Sequence, residues 1–271
     1  MPELPEVEIT CIGLQPILQK SIKSIVVRNS SLRWPIPSHL KKTLPNQKIL
    51  AIKRRAKYIL IQFEKAQLMI HLGMSGRLEL LKKDVSPQKH DHVDIQFQNI
   101  KNILRYTDPR RFGSIHWIDG DVNQHFLISK LGPEPLEELF TDKYLFSKLQ
   151  NKKTTIKNII MDSHIVVGVG NIYASESLFK AKVIPTRMAK DVSLNECKKI
   201  VKYIKETLHK AIELGGSSLR DFYNVNGQSG YFQQTYAVYG RKGKPCRACK
   251  SIIESKIIAQ RSSFYCPKCQ T

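Results

Sequence analysis

The chain predicts an α+β fold: a β-sandwich or barrel behind a leading helix, then a helical half that ends in a small cysteine-paired module. Three observations predict it. Short β-rich runs crowd the first half, helical periodicity fills the second, and two close cysteine pairs stand near the C-terminus.

Residues 4–19 place Leu4, Val7, Cys11, Leu14 and Leu18 at helical spacing and read as an amphipathic helix. Eight runs follow, at 24–28, 48–54, 58–63, 68–72, 77–81, 92–97, 102–106 and 114–118, divided by Gly, Pro and Asn. Runs of that length and spacing suggest a sandwich or barrel. Gly132-Pro133-Glu134-Pro135 breaks the pattern and marks a boundary. Beyond it, 136–149, 155–163 and 172–180 read as helices. The clearest helix is 193–214: Ser193 and Glu196 form a capping box, Cys197, Ile200, Val201, Ile204, Leu208 and Ala211 form one stripe, and Gly215-Gly216 ends it. Residues 217–235 read as a loop.

The 271 residues suffice for one large domain or two ordinary ones with real cores, and 41% hydrophobic with 25% charged residues is a soluble globular composition. No apolar run is long enough to span a membrane, and the N-terminus lacks the features of a signal peptide, so a cytoplasmic location is expected. The net charge of +21 points to a polyanion, most simply nucleic acid. The charge is uneven. Residues 1–19 hold Glu3, Glu6 and Glu8 and no Lys or Arg, whereas 236–271 hold eight basic side chains and one acid. Carboxylates on a phosphate-binding protein either face away from the partner or have a chemical task.

Cys246-x2-Cys249 and Cys266-x2-Cys269 are sixteen residues apart, the spacing of a four-cysteine zinc site. With sulfur in all four positions no water site remains, so one structural Zn2+ per chain is expected, rather than a catalytic metal or disulfides. Cys11 and Cys197 fall in apolar stripes and read as core. On composition alone, Arg261 is a phosphate contact in the module's turn.

Several segments together resemble one family. Pro2-Glu3-Leu4-Pro5-Glu6-Val7-Glu8, Arg54-Arg55-Ala56-Lys57-Tyr58, His71-Leu72-Gly73-Met74-Ser75-Gly76 and Lys89-His90-Asp91-His92-Val93-Asp94 are similar to formamidopyrimidine-DNA glycosylase, also called 8-oxoguanine DNA glycosylase. So are Asp108-Pro109-Arg110-Arg111-Phe112-Gly113, Gly168-Val169-Gly170-Asn171-Ile172-Tyr173-Ala174 and the cysteine module. The resemblance runs the length of the chain. It implies a catalytic β-sandwich over 1–131, a helix-two-turns-helix domain over 132–235 with a lesion loop at 217–235, and a zinc finger over 236–271. The implied activity is excision of oxidised purines from duplex DNA, then cleavage at the abasic site by β,δ-elimination.

The same resemblance assigns roles. Pro2, once Met1 is removed, is the nucleophile. A secondary α-amine has a reference pKa of about 8, so part of it is neutral near pH 7, and attack at C1′ leaves an iminium that acidifies the C2′ proton. Glu3 handles protons at the sugar and leaving base. Glu6 is an acid behind the amine, and Glu8 reads as a solvated helix-start acid. Lys57 and Arg261 assist elimination. Met74, Arg110 and Phe112 fill the void left by the extruded nucleotide. His90, His92, Lys153, Lys157 and Asn171 are expected on phosphates, with Asn171 opening a helix. Ser218, Arg220 and Tyr231 belong to the loop over the flipped base. Two other readings stand beside this one. The sister endonuclease VIII branch has Gly where this chain has Leu4 and lacks the Arg110-x-Phe112 pattern. A catalytically silent zinc-finger DNA-binding protein would not need Pro2, Glu3 and Lys57 together.

Overall fold

A computed structural model describes residues 2–82, 85–217, 225 and 230–271. The chain packs as two compact units, Met1–Ser129 with Leu214–Tyr231, and Lys130–Glu213 with Phe232–Thr271.

The first unit opens with helix α1 (Leu4–Gly13) and strand β1 (Ile22–Val27), then the short helix α2 (Leu40–Thr43). Seven strands complete it: β2 (Ala51–Arg55), β3 (Tyr58–Gln62), β4 (Ala66–His71), β5 (Arg77–Lys82), β6 (Asp91–Phe97), β7 (Asn102–Thr107) and β8 (Ser114–Asp119). They form two antiparallel four-stranded sheets, ordered β1-β6-β7-β5 and β2-β3-β4-β8. Alternate residues face inward, among them Ile59, Ile61, Leu68, Ile70, Val93, Ile95, Leu104 and Ile115, and build one core that also takes Val7 and Cys11 of α1 and Leu14 just after it. All eight expected runs are strands. The leading helix is shorter than its apolar stripe: it ends at Gly13, and Pro16 sits in a 3-10 turn over Gln15–Ile17. Proline has no N–H to continue the ladder.

The second unit holds α3 (Asp142–Leu149), α4 (Ile156–Met161), α5 (Asn171–Ala181), α6 (Leu194–Glu213) and the hairpin β9 (Glu254–Ile258) and β10 (Arg261–Tyr265). Helix α6 packs on α3 and α5. Its capping box is formed: the Ser193 hydroxyl accepts the Glu196 N–H at 3.3 Å, and the Glu196 carboxylate accepts the Ser193 N–H at 2.9 Å. Helix α3 starts later than its expected 136, because Thr141 caps it by accepting the Tyr144 N–H at 3.0 Å.

Packing divides the chain differently from the expected parts at 1–131, 132–235 and 236–271. Residues 214–231 go with the sandwich, where Val225 enters the core and its carbonyl accepts the Leu80 N–H. The cysteine hairpin packs on α5, with Phe179 against Val238, Cys246, Ile253 and Cys266.

Candidate functional site

In the first unit the N-terminus is fastened from inside. Pro2 and Glu3 are buried ahead of α1, with Glu3 as its N-cap. Glu6, 2% exposed, accepts the Glu3 N–H at 2.8 Å with one carboxylate oxygen and the Ser217 N–H at 2.8 Å with the other. One buried carboxylate thus ties the chain start to the stem of the 217–231 loop. The stem closes where the Tyr231 N–H donates to the Leu214 carbonyl at 2.9 Å. Tyr231 is exposed, and Ser218 and Arg220 lie outside the described residues. Glu8 is not a solvated acid as expected: it accepts Arg54 Nε at 2.6 Å and pins α1 to β2.

Strand β2 turns into β3 through Ala56-Lys57, with Ala56 left-handed at φ 54°. Half-buried Lys57 stands in that turn. Its charge acts on His71, a residue of the His71–Gly76 segment that carries no separate signal in the sequence. The Gly73 N–H donates to His71 Nδ1 at 3.0 Å, so the neutral ring carries its proton on Nε2, ready to donate. Burial first, then the Lys57, Arg33 and His116 charges, push this imidazole down to about 4. Burial and His125 hold His116 at about 4 as well.

These two shifts set a pH dependence. A histidine depressed in the folded state leaves the unfolded chain binding more protons, so stability present above pH 6.5 is lost as pH falls from 6.5 toward 4. The urea midpoint is expected to drop between pH 7 and pH 4.5, with a shallower drop in His71→Gln. Equal pH slopes in the two proteins would remove His71 as the cause.

Asp108 organises the next feature. It is fully buried; one oxygen accepts the Ser75 hydroxyl at 2.7 Å, and the other accepts the Tyr106 hydroxyl at 3.1 Å and the Gly113 N–H at 2.9 Å. Gly113 must be glycine because a Cβ there would run into the Tyr106 hydroxyl. The turn so held raises Arg110 and Phe112 to the surface. Phe112 is 47% exposed with the Arg110 guanidinium 5.0 Å over its ring. Met74, half-buried, lies on the adjoining turn, where Gly73 abuts Phe112 and Gly113. The three side chains expected to fill a void therefore stand on two packed turns. His92, expected on phosphate, is instead 3% exposed and its Nε2 bonds the Asp108 carbonyl at 2.8 Å, so it supports this turn from within the sheet. Half-buried His90 supports it too, its carbonyl accepting the Asp108 N–H at 3.1 Å.

In the second unit, Lys157 also departs from its expected place on phosphate. It is 1% exposed, and its ammonium donates to Asn171 Oδ1 at 2.5 Å, Ser263 Oγ at 2.6 Å and the Ser262 carbonyl at 3.4 Å. A buried cation needs such partners, and these fix α4, the start of α5 and β10 to one another. Asn171, half-buried at the first turn of α5, adds a bond from Nδ2 to the Ser262 carbonyl at 3.0 Å. Lys153 is exposed ahead of α4. Glu176, buried on α5, accepts the N–H groups of Ala237, Val238 and Tyr239 at 2.8–3.0 Å. An acid among Tyr173, Ala174, Leu178 and Phe179 was the sequence signal for such a clamp, as was Asp108 before Pro109 for a held turn. Arg261 is exposed at the tip of the hairpin, just after Ala259 and Gln260, both left-handed at φ 45° and 61°.

The four cysteine sulfurs lie within 4.8 Å of one another, with 3.4 Å between Cys249 and Cys266 and 4.0 Å between Cys246 and Cys269. Disulfide bonds would need about 2.05 Å. Tetrahedral Zn–S bonds of about 2.3 Å would set the sulfurs about 3.8 Å apart. The donor set fits one structural zinc ion.

Comparisons with known proteins cover the whole chain. Residues 1–115 match the formamidopyrimidine-DNA glycosylase N-terminal domain, 131–223 that enzyme's H2TH domain, and 243–271 the zinc finger found in FPG and IleRS. The formamidopyrimidine-DNA glycosylase of Methylobacillus flagellatus is 50% identical over 100% of this chain and 96% of its own length. That of Escherichia coli is 48% identical over 100% of both. Among solved structures, a Lactococcus lactis FPG mutant in complex with Fapy-dG-containing DNA superposes with a TM-score of 0.93 at 35% identity, over 100% of both chains. The Lactococcus lactis Fpg in complex with abasic-site DNA gives 0.92 at 34%, over 99% of both. With an α+β sandwich, a helical H2TH unit and a four-cysteine module in that order, the chain belongs to the formamidopyrimidine-DNA glycosylase family.

Proposed function

We propose that this chain is a bifunctional DNA glycosylase and abasic-site lyase of base excision repair, taking oxidised purines such as 8-oxoguanine and formamidopyrimidines from duplex DNA in a bacterial cytoplasm. The observation that carries the reading is the buried Pro2-Glu3 start of α1, held by the carboxylate of Glu6. A terminal amine in that place is a nucleophile fixed by the fold.

In this reading the Pro2 nitrogen, freed of Met1, attacks C1′ of the extruded nucleotide. The C1′–N bond to the base breaks, and the base leaves with a proton that Glu3 is placed to deliver. The C1′–O4′ bond then breaks as O4′ takes up a proton, which opens the sugar ring and leaves an iminium at C1′; the iminium acidifies C2′, and loss of its proton expels the 3′ phosphate. A second elimination expels the 5′ phosphate. Lys57 and neutral His71, with its Nε2–H, are the cation and the donor for phosphate beside the sugar; Arg261 and Lys153 are the second unit's exposed cations for the backbone. Lys157 and Asn171 act by holding the Arg261 hairpin, and Asn171 keeps partial exposure for a phosphate. Zinc supplies no chemistry of the reaction; Cys246, Cys249, Cys266 and Cys269 hold it for the shape of the hairpin. Duplexes carrying 8-oxoguanine or oxidised thymine, scored for strand cleavage, test the substrate class. Cleavage of the thymine lesion alone would overturn it.

Phe112, Arg110 and Met74 serve extrusion rather than bond breaking. Arg110 and Phe112, exposed on the turn held by Asp108, with half-buried Met74 on the adjoining turn, support a wedge: Phe112 between base steps, Arg110 toward the orphaned base. Phe112→Ala is therefore expected to slow 8-oxoguanine excision about tenfold to a hundredfold, the rate equivalent of the few kcal/mol that unstacking costs. It should leave cleavage of a ready-made abasic site within about threefold. Single-turnover rates on the two substrates check this, and equal losses on both would make Phe112 a structural residue.

A further inference from the structure

The first unit carries an aromatic cluster that this mechanism leaves unused. Trp34, His116, His125 and Phe126 form a closed set of ring contacts. Trp34 meets His116 at 5.5 Å and Phe126 at 6.3 Å, and His125 meets His116 at 5.4 Å and Phe126 at 4.6 Å. The Arg33 guanidinium lies 4.7 Å over the Trp34 ring. None of the four rings belongs to the apolar core between the sheets. Phe126 is 63% exposed, Arg33 is exposed, and the other three are partly so.

An aromatic patch outside the core, with Phe126 exposed and three partly exposed rings beside it, has the character of an interaction surface. The cluster has a polar edge as well. His116 Nε2 is buried without a hydrogen-bond partner among the described residues, and a native orphan of that kind calls for an account. Burial lowers both histidines, His116 to about 4, so near pH 7 the rings are neutral and Arg33 is the cluster's cation. Its position is informative. The Arg33 N–H donates to the Gly113 carbonyl at 3.1 Å, so the cluster is tied to the base of the turn that raises Arg110 and Phe112.

Neutral ring faces beside a cation, on a chain of net charge +21, suit nucleobases with their phosphates. Within a duplex the base faces are covered by their neighbours. Only unpaired bases offer a face to Phe126 or Trp34. We propose that Arg33, Trp34, His116, His125 and Phe126 form a stacking site for single-stranded DNA that continues from a duplex next to the wedge turn. The proposal rests on the DNA-binding reading above, and adds to it a preference for lesions near a strand end or an unpaired stretch.

The test uses full-length protein with Trp117→Phe, which leaves Trp34 as the one remaining tryptophan of two. A lesion duplex is titrated either blunt or with a tail of about ten thymidines. The tailed duplex is expected to bind about tenfold tighter, the effect of one or two stacked bases, and to quench Trp34 emission. A tail of abasic propanediol phosphates keeps the charges without the bases and should lose most of that gain. Phe126→Ala, at an exposed position, should abolish the gain and leave blunt-duplex affinity unchanged. Equal binding of blunt and thymidine-tailed duplex overturns the proposal while the functional reading stands. So does a gain that survives Phe126→Ala, or one matched by the abasic tail. If the parent protein binds neither duplex, the functional reading fails and the cluster's role with it. A shift in self-association on Phe126→Ala without any tail effect would assign the cluster to a second copy of the chain and likewise overturn the proposal.

Discussion

Protein that carries a peptide extension on Pro2, or that retains Met1, is expected to bind lesion duplex with unchanged affinity and to release no base. Acylation turns the amine into an amide whose lone pair is delocalised into the carbonyl. The expected loss of excision is total within detection, because the proposed step requires the Pro2 amine to become an iminium, which an amide nitrogen does not do. The untagged protein, incubated with 8-oxoguanine duplex and borohydride, should give a covalent adduct that peptide mapping places on Pro2. An adduct on Lys57, or equal cleavage by tagged protein, would remove Pro2 as nucleophile and leave the family assignment intact. The structure adds a control. Glu6 fastens the Glu3 N–H and the Ser217 N–H whatever is attached to Pro2, so an extension threaded outward need not disturb α1, and thermal stability should change little.

The second large effect concerns the metal. The cysteine module has little core of its own: Val238, Ile253 and Ile258 are its buried apolar side chains beside Cys246 and Cys266, with Phe179 of α5 and Phe264 alongside. In a module so small, metal binding supplies most of the folding free energy, about 10–16 kcal/mol in zinc-finger peptides. Cys266→Ser is expected to lose the zinc and unfold β9 and β10. The damage should spread, because Ser262 and Ser263 are acceptors for the buried ammonium of Lys157. Each hydrogen bond lost from a buried cation costs about 1.5–3 kcal/mol, enough to loosen α4 and the start of α5. Metal analysis and amide exchange check both points: exchange should rise in β9, β10 and α4 and stay slow in β3 and β4. Active protein without zinc would refute the structural role.

How much of this was legible in the sequence follows from the kind of signal each feature leaves. Period-two and helical patterns mark strands and helices wherever one face is buried, so the eight strands and α6 were readable. The cysteine spacing reports its own geometry. Two kinds of feature escaped. Helix ends set by side-chain caps, as at Thr141, depend on single residues and shift the start by several positions. Buried polar residues escaped because neither composition nor resemblance reports burial: the family resemblance put Lys157 and His92 on phosphates, and only the structure shows the buried groups that each one bonds. Glu176 and Asp108 left a faint trace, an acid in an apolar helix and an acid before proline, but what each accepts lies far along the chain or on another strand. Residues 217–235 read as a loop, yet a period test could not say that Val225 would enter the sandwich core.

One backbone feature recurs beside the cations. Ala56, Arg111, Ala259 and Gln260 all have positive φ, and none is glycine. Each sits next to a side chain with a proposed part in holding DNA: Lys57, Arg110 and Phe112, and Arg261. A left-handed L-residue costs about 1 kcal/mol that glycine would spare. Glycine, however, would also widen the range of shapes the turn can sample. The side chains kept at these corners narrow that range before any ligand arrives, so the conformational search that docking would otherwise require has been completed at folding. A selection for heat resistance that placed glycine at 56, 111 or 259 would relax the corners and at the same time return that search to the encounter with DNA, where it would appear as slower, less selective engagement.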